Sequence, residues 1–241
     1  PQIWQQKQLP QMRAYEGWEV WPGDTTMLIG IVDAGIDMYH EDLAPSISEN
    51  TGEMGKDALG RDKRTNRYDD DGNGAVDDWR GANLTWQEDS TVPGITKGSA
   101  HGTFVSGFAS AATNNNIGIA GVGNRCRFFP IKMANNKTGE LTMAYEGIIY
   151  AARRGCKVIN CSWGEESYSR VLQDIITNVV ETFDCAIVAG GGNPPGFGAY
   201  YPAGYRHVWG VGAVGGNDLY ETTMGPHISV SAPGGFSTGE N

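Results

Sequence analysis

The sequence feature that most constrains the fold is a series of short apolar runs separated by amphipathic stretches. Residues 27–33 carry no charge until Asp33, as expected of a strand buried on both faces. Between such runs, as in residues 141–152 and 172–183, apolar residues recur at helical spacing. This alternation predicts an α/β fold with a doubly wound, mostly parallel sheet and helices on both faces. Further strands are predicted at residues 127–132, 157–161, 186–190, 208–214 and 228–231.

Chain length bears on the number of domains, and net charge bears on the class of partner. A chain of 241 residues can bury one large core, so we expect residues 1–241 to form a single domain. Asp and Glu outnumber Lys and Arg by 28 to 18, and the net charge of −10 argues against nucleic acid or an anionic membrane surface as a partner. No stretch approaches the roughly 20 apolar residues of a membrane-spanning helix.

The first residue bears on processing of the chain, and the cysteines bear only on disulfide pairing. The chain begins with Pro1 rather than Met, so we expect a processed end from which any signal peptide has been removed. The four cysteines allow three pairings or none, and free buried thiols are the favoured alternative.

Candidate catalytic groups follow predicted strands. Asp33 ends its strand, at the sheet edge where catalytic groups collect in α/β proteins. Residues 99–112 predict a helix of small residues with His101 in its first turn. A carboxylate beside an imidazole fixes the tautomer and stabilises the imidazolium, which suits a general base. The alternative is a histidine that only caps a core helix.

A glycine-rich turn supplies a further candidate. Asn193 follows three glycines after the strand at residues 186–190, and a side-chain amide in such a turn is able to donate to a developing oxyanion. A nucleotide-binding protein is the competing interpretation of the α/β pattern. It is disfavoured because neither G-x-G-x-x-G nor a P-loop follows any predicted strand, which leaves phosphate without a cradle.

Seven sequence blocks, in order and spread over nearly the whole chain, resemble those of subtilisin-like serine endopeptidases, the subtilases. They are Ile-Val-Asp-Ala-Gly-Ile-Asp with His-Glu-Asp-Leu (31–43), His-Gly-Thr-Phe-Val-Ser-Gly (101–107), Asn-Asn-Asn-Ile-Gly-Ile-Ala-Gly-Val (114–122), Val-Ile-Asn-Cys-Ser-Trp-Gly (158–164), Ala-Gly-Gly-Gly-Asn (189–193), Tyr-Pro (201–202) and Ser-Ala-Pro-Gly (231–234). The resemblance implies a subtilisin-like fold and a secreted or cell-surface protein.

The resemblance also implies roles for individual residues. Asp33 would orient the imidazole, His101 would act as general base and acid, and Asn193 would stabilise the oxyanion. An extended edge would pair with the backbone of an extended polypeptide substrate. Its residues would be Ser162, Trp163 and Gly164. The alternative for this edge is a strand end followed by a turn. The family likeness further implies a cis bond between Tyr201 and Pro202.

The sequence departs from the family pattern in three places. Subtilases usually have Ser or Thr at the position of Ala34 and a second His at that of Phe104. In the family, neither that hydroxyl nor that second imidazole moves a proton. The family nucleophile lies in Gly-Thr-Ser-Met-Ala after the Ser-Ala-Pro-Gly block, and no such motif occurs up to Asn241. Ser237 is rejected as a substitute because no helix follows it.

The missing motif leads to a specific expectation. The serine should lie in a C-terminal remainder of the same protein, and residues 1–241, truncated before the nucleophile-bearing helix, should be inactive alone. The alternative from a different class is a non-catalytic subtilisin-like binding or scaffold module.

An acidic run at residues 69–78 predicts a calcium site. Its oxygen-bearing side chains match positions 1, 3, 5 and 9 of a calcium-binding loop. They are Asp69, Asp71, Asn73 and Asp77. Position 12 is Arg80, so no glutamate closes the loop, and a solvated acidic turn is the alternative.

A second calcium site is implied by the resemblance. Asp42 would share an ion with Asn115 and with backbone carbonyls of residues 113–119, whereas an Asn-rich turn is the alternative. Calcium is therefore the expected cofactor. Transition metals are not expected, because the His and Cys residues lack paired ligand spacing.

Overall fold

The computed structural model describes residues 5–85, 100–135, 138–193, 196–215 and 223–234. The chain forms two compact units. The first is built around Pro22–Lys157, and the second combines Trp4–Trp21 with Val158–Asn241. Ser99, the first residue of the helix predicted at 99–112, and Ser237 lie outside the described residues.

The helices and strands alternate along most of the chain. The helices are α1 (Gln8–Gln11), α2 (Ala14–Val20), α3 (His101–Ser110), α4 (Ala144–Arg153) and α5 (Arg170–Phe183). The strands are β1 (Leu28–Asp33), β2 (Ala82–Asn83), β3 (Arg127–Lys132), β4 (Val158–Cys161), β5 (Ala186–Gly190), β6 (Gly196–Phe197), β7 (Val208–Val214), β8 (Thr223–Met224) and β9 (Ile228–Pro233). Short 3₁₀ helices lie at Ala44–Ser46 and Thr51–Glu53.

In the first unit the strands lie in the order β2-β3-β1 and all pairs are parallel. Helix α3 packs on one face, where Ile31 and Phe128 are fully buried against Val105 and neighbouring residues. Helix α4 packs on the other face, beside Val32. The prediction of parallel strands with helices on both faces is confirmed for this unit.

In the second unit the strands lie in the order β4-β5-β7-β9, again with parallel pairing. The β7–β9 register shifts between Gly210 and Val211, and a separate parallel pair joins β6 to β8. Helix α5 buries Ile176 and Val179, and the Ser169 hydroxyl at its start accepts from the Leu172 N–H. The fold is therefore of the α/β class, as predicted.

Two smaller predictions concern thiols and membranes. All four cysteines are buried and none forms a disulfide, in agreement with the favoured alternative of buried thiols. Among the described residues, none of the helices has the length and apolar character needed to cross a bilayer.

Candidate active site

The end of β1 and the start of α3 bring together an aspartate and a histidine that are 68 positions apart. The His101 Nδ1 atom lies 2.9 Å from Asp33 Oδ1 and 3.0 Å from Asp33 Oδ2. Asp33 is 2% exposed, whereas 53% of the His101 side chain is exposed. The two groups that the sequence predicted as a pair are therefore in hydrogen-bonding contact, with the imidazole open to solvent.

A glycine permits this close approach of helix to strand. A Cβ atom at Gly102 would lie 2.2 Å from the carbonyl oxygen of Gly35 and 3.1 Å from Asp33 Oδ1. No side chain fits at the second position of α3 without displacing the turn that follows β1. The same turn is tied to the helix because the Asp37 N–H donates to Thr103 Oγ1 at 2.9 Å.

The contact with Asp33 also changes the pKa of the histidine. The hydrogen bond to Asp33 raises the pKa of the His101 imidazole above its ordinary value, and partial burial opposes that rise. With its proton on Nδ1 facing the carboxylate, the ring presents Nε2 as the basic nitrogen. Asp33 Oδ1 also accepts from the Ala34 N–H at 2.7 Å, which helps to hold the carboxylate in place.

The departures from the family pattern leave this pair intact. Ala34 contacts Asp33 through its backbone, so the absent hydroxyl does not remove the hydrogen bond at that position. Phe104, one turn after His101, is 66% exposed and places an aromatic ring at the position of the second family histidine.

In the second unit, the glycine-rich turn after β5 leads to Asn193. Backbone hydrogen bonds hold this turn: the Gly191 N–H donates to Val211 O at 2.9 Å, and the Thr223 N–H donates to Gly192 O at 3.2 Å. Asn193 itself is exposed. A fixed backbone with an exposed amide at its end is suited to donating a hydrogen bond to a ligand.

The predicted substrate-binding edge follows β4. Its residues Ser162, Trp163 and Gly164 are half-buried. The Asn160 amide donates to Ser162 Oγ at 2.9 Å. The next residue, Glu165, pairs with Tyr201 through N···O distances of 2.8 and 2.7 Å, and the Tyr201–Pro202 bond is cis as predicted.

Comparison with known proteins assigns the chain to a family. The sequence model described as "Subtilase family" matches residues 24–241, which is most of the chain. The chain belongs to the subtilase family. The "Thermophilic serine proteinase" of Bacillus sp. (strain AK1) is 31% identical over 223 residues, covering 90% of this chain and 46% of that protein.

Two further relatives extend the comparison. "Thermitase" of Thermoactinomyces vulgaris is 30% identical over 229 residues, covering 94% of this chain and 69% of that protein. The "Halolysin-like extracellular serine protease Nep" of Natrialba magadii is 28% identical over 233 residues, covering 95% of this chain and 38% of that protein. The chain thus spans less than half the length of two of these three relatives.

Three carboxylates of this subtilase converge at the acidic loop, residues 69–78. Oxygen atoms of Glu53, Asp69 and Asp71 lie within 4.8 Å of one another. Asp69 is held by backbone N–H donors of the loop, among them Gly72 at 2.7 Å and Gly74 at 2.8 Å. Two of the predicted calcium ligands are therefore adjacent, and the third carboxylate comes from a residue outside the loop.

Glu53 is the group that sequence analysis missed. Its Oε1 accepts from the Asp70 and Asp71 N–H groups at 2.6 and 3.1 Å, but its Oε2 is buried without a hydrogen-bond partner among the described residues. Burial, with the negative charges of Asp78 and Asp71, raises the Glu53 pKa to about 7 despite the two N–H donors. No spacing rule connects Glu53 to the loop, so the sequence offered no signal for it.

The other two predicted loop ligands are placed differently. Both oxygens of Asp77 accept from the Arg67 N–H, at 3.0 and 3.2 Å, and Asp77 is not part of the carboxylate group. Asn73 donates through Nδ2 to Asp71 at 3.2 Å and to the fully buried Asp78 at 3.1 Å. In the structure Asp77 holds the Arg67 turn and lies apart from the three converging carboxylates, and its role as a calcium ligand stays a prediction.

The structure places Asp42 beside the residues with which it was expected to share an ion. Asp42 is buried, and its Oδ1 accepts from Asn115 Nδ2 at 2.7 Å while its Oδ2 accepts from the Ile119 N–H at 2.8 Å. The structure thus brings Asp42 and Asn115 together, with the loop between Asn115 and Ile119 wrapped around the carboxylate.

Proposed function

We propose that this subtilase is a serine endopeptidase that hydrolyses peptide bonds through an Asp-His-Ser triad. The observation that supports the proposal most strongly is the contact between buried Asp33 and half-exposed His101. The serine would lie in the C-terminal remainder of the same protein, so residues 1–241 alone would be inactive.

The reaction would use the two nitrogens of His101 differently. Nε2 would take the proton of the serine hydroxyl as its oxygen attacks the peptide carbonyl, and would then give that proton to the leaving amine. Asp33 would remain ionised on the Nδ1 side, where it stabilises the imidazolium formed in between. The raised pKa of His101 agrees with this role, because the carboxylate favours the protonated ring.

The second unit would supply oxyanion binding and substrate alignment. Asn193 would donate its amide to the oxyanion of the tetrahedral intermediate, an interaction typically worth about 10²–10³-fold in kcat. The edge after β4 would pair with the backbone of an extended polypeptide as an added strand. Its residues are Ser162, Trp163 and Gly164. Their half-buried setting, next to the Glu165–Tyr201 pairing, supports this role.

A comparison of histidine variants tests the proposed function. In the full-length protein, His101→Ala is expected to lower kcat/KM for a fluorogenic peptide by roughly 10⁶-fold, because the general base is removed. The matched control is His207→Asn, which changes an exposed histidine whose backbone φ of 71° asparagine also adopts. Equal hydrolysis by His101→Ala and wild type would contradict the proposal. Absence of hydrolysis by the wild type would favour the scaffold alternative.

We further propose that calcium stabilises the fold at two places. Glu53, Asp69 and Asp71 fit a hard cation, because they converge as carboxylate oxygens and Glu53 Oε2 is buried without a hydrogen-bond partner among the described residues. Asp42 and Asn115 would hold the other ion. A bound ion would neutralise the converging negative charges and would take no part in proton transfer.

We also infer that the protein is secreted or displayed at the cell surface. The support is the relative from Natrialba magadii, whose name describes it as extracellular. Detection of the full-length protein in the culture medium or on intact cells would test this inference, whereas its retention in the cytosol would contradict it.

A further inference from the structure

A buried histidine outside the triad contacts the turn that leads to Asn193. His227 directly precedes β9 and is 9% exposed. Its Nε2 atom lies 2.9 Å from the carbonyl oxygen of Gly191. Its Nδ1 atom is buried and has no hydrogen-bond partner in the part of the chain that the structure describes.

This arrangement determines which nitrogen carries the proton. A proton on Nε2 forms a hydrogen bond to Gly191, whereas a proton on Nδ1 would bury an unsatisfied donor and leave two lone pairs facing each other. The geometry therefore favours the tautomer with the proton on Nε2 over the one with the proton on Nδ1, and His227 donates to the Gly191 carbonyl. An apolar ring would fill this space without burying an unpaired nitrogen, so packing alone does not explain the imidazole.

The His227 contact completes the restraint on the turn. The Gly191 N–H is held by β7 through Val211, and the Gly192 carbonyl is held by the Thr223 N–H. Gly192 has φ +110°, and a Cβ atom there would lie 2.6 Å from Thr223 Oγ1. The peptide groups on both sides of Gly191 are thus fixed, and Asn193 is the second residue after Gly191.

We propose that His227 is a positioning residue for the oxyanion hole: its hydrogen bond to Gly191 fixes the turn from which Asn193 presents its amide. This inference rests on the proposed function, because it assigns a purpose to the position of Asn193. The group that acts on the substrate is Asn193, and His227 acts only through the backbone between them.

A double-mutant cycle in the full-length protein tests the proposal. His227→Phe removes the donor but keeps an aromatic ring, and His227→Asn keeps a polar side chain that is too short to reach Gly191. His227→Gln restores an amide N–H at about the reach of Nε2. Each change is made with Asn193 present and in an Asn193→Ala background, and kcat, KM and the thermal midpoint are measured with one peptide substrate.

The proposal predicts a pattern that a merely structural role would not produce. With Asn193 present, His227→Phe and His227→Asn lower kcat by about tenfold or more with little change in KM, because a small misplacement of a catalytic group costs up to about 100-fold. His227→Gln recovers most of that loss. In the Asn193→Ala background, the same changes have no further effect on kcat.

Two results would overturn the proposal in distinguishable ways. If His227→Phe or His227→Asn lowers kcat by the same factor in both backgrounds, His227 only stabilises the fold, and the role of Asn193 still stands. If Asn193→Ala alone leaves kcat unchanged, the oxyanion role of Asn193 fails, and the assignment of His227 fails with it. His227→Asn keeps the test available if the phenylalanine variant does not fold.

Discussion

Asp33 and His101 meet because the last residue of a strand and the first residue of a helix are adjacent in the fold. Hydrogen bonding to the buried Asp33 carboxylate is the largest influence on the pKa of the imidazole and raises it. At the scale of single residues, substitution of Asp33 is therefore expected to have the largest effect on the pKa of the imidazole.

Asp33→Asn is expected to lower the pKa of His101, because the amide cannot stabilise the imidazolium as a carboxylate does. Wild-type His101 should titrate above the ordinary histidine value of about 6.5, and the variant should titrate at lower pH. NMR titration of the His101 ring protons in both proteins provides the measurement. An unchanged His101 pKa would mean that the two groups do not interact in solution.

The raised pKa of His101 also makes the free energy of unfolding depend on pH. A histidine whose pKa is raised by folding stabilises the native state fully below its unfolded pKa, and this contribution is lost as pH rises through the folded pKa. The difference in free energy of unfolding between wild type and Asp33→Asn should therefore shrink from pH 6 toward pH 9. Urea unfolding at several pH values provides the measurement, and a difference that grows with pH would contradict the assigned sign.

Glu53→Gln is expected to weaken calcium binding by roughly 10–100-fold, because it removes one of three converging carboxylates. Asp77→Asn is the matched control: Asp77 holds the Arg67 N–H, so its change should lower stability without changing calcium affinity. Thermal midpoints measured over a calcium titration separate the two effects. Loss of calcium affinity in Asp77→Asn but not in Glu53→Gln would instead support the loop spacing predicted from sequence.

At the scale of elements, the sequence predicted the long strands closely. The bounds of β3, β5 and β7 agree with the prediction, because each is a short, mostly apolar run in the sequence. The two-residue strands β2, β6 and β8 were not predicted, since two residues show no periodicity. Glu53 was missed for a related reason: its approach to the acidic loop depends on tertiary packing that no local pattern encodes.

Gly102→Ala tests the packing of α3 against the end of β1. The added Cβ would lie 2.2 Å from Gly35 O, so we expect a loss of about 1–3 kcal/mol in the free energy of unfolding, as for other overpacked sites. Gly17→Ala in α2 is the matched control, because a Cβ there meets nothing within 4 Å and should stabilise by about 0.5–1 kcal/mol. Equal effects of the two substitutions in urea unfolding would contradict the close approach.

At the scale of the whole molecule, the groups assigned to the reaction come from distant parts of the sequence. Asp33 and His101 belong to the first unit, and Asn193 belongs to the second. The chain spans less than half of two of its relatives, and we propose that the serine lies in the remainder. The sequence therefore predicted the contact between Asp33 and His101 and the family, whereas it offered no motif from which to predict the nucleophile.

The most direct test of the triad is labelling of the full-length protein with a fluorophosphonate probe, followed by mass spectrometry of the modified peptide. The probe reacts with a serine that a neighbouring base activates. We predict modification of one serine on the C-terminal side of residue 241 in the wild type, and loss of that modification in His101→Ala. Labelling of the same serine at an unchanged rate in His101→Ala would contradict the assignment of His101 as the base.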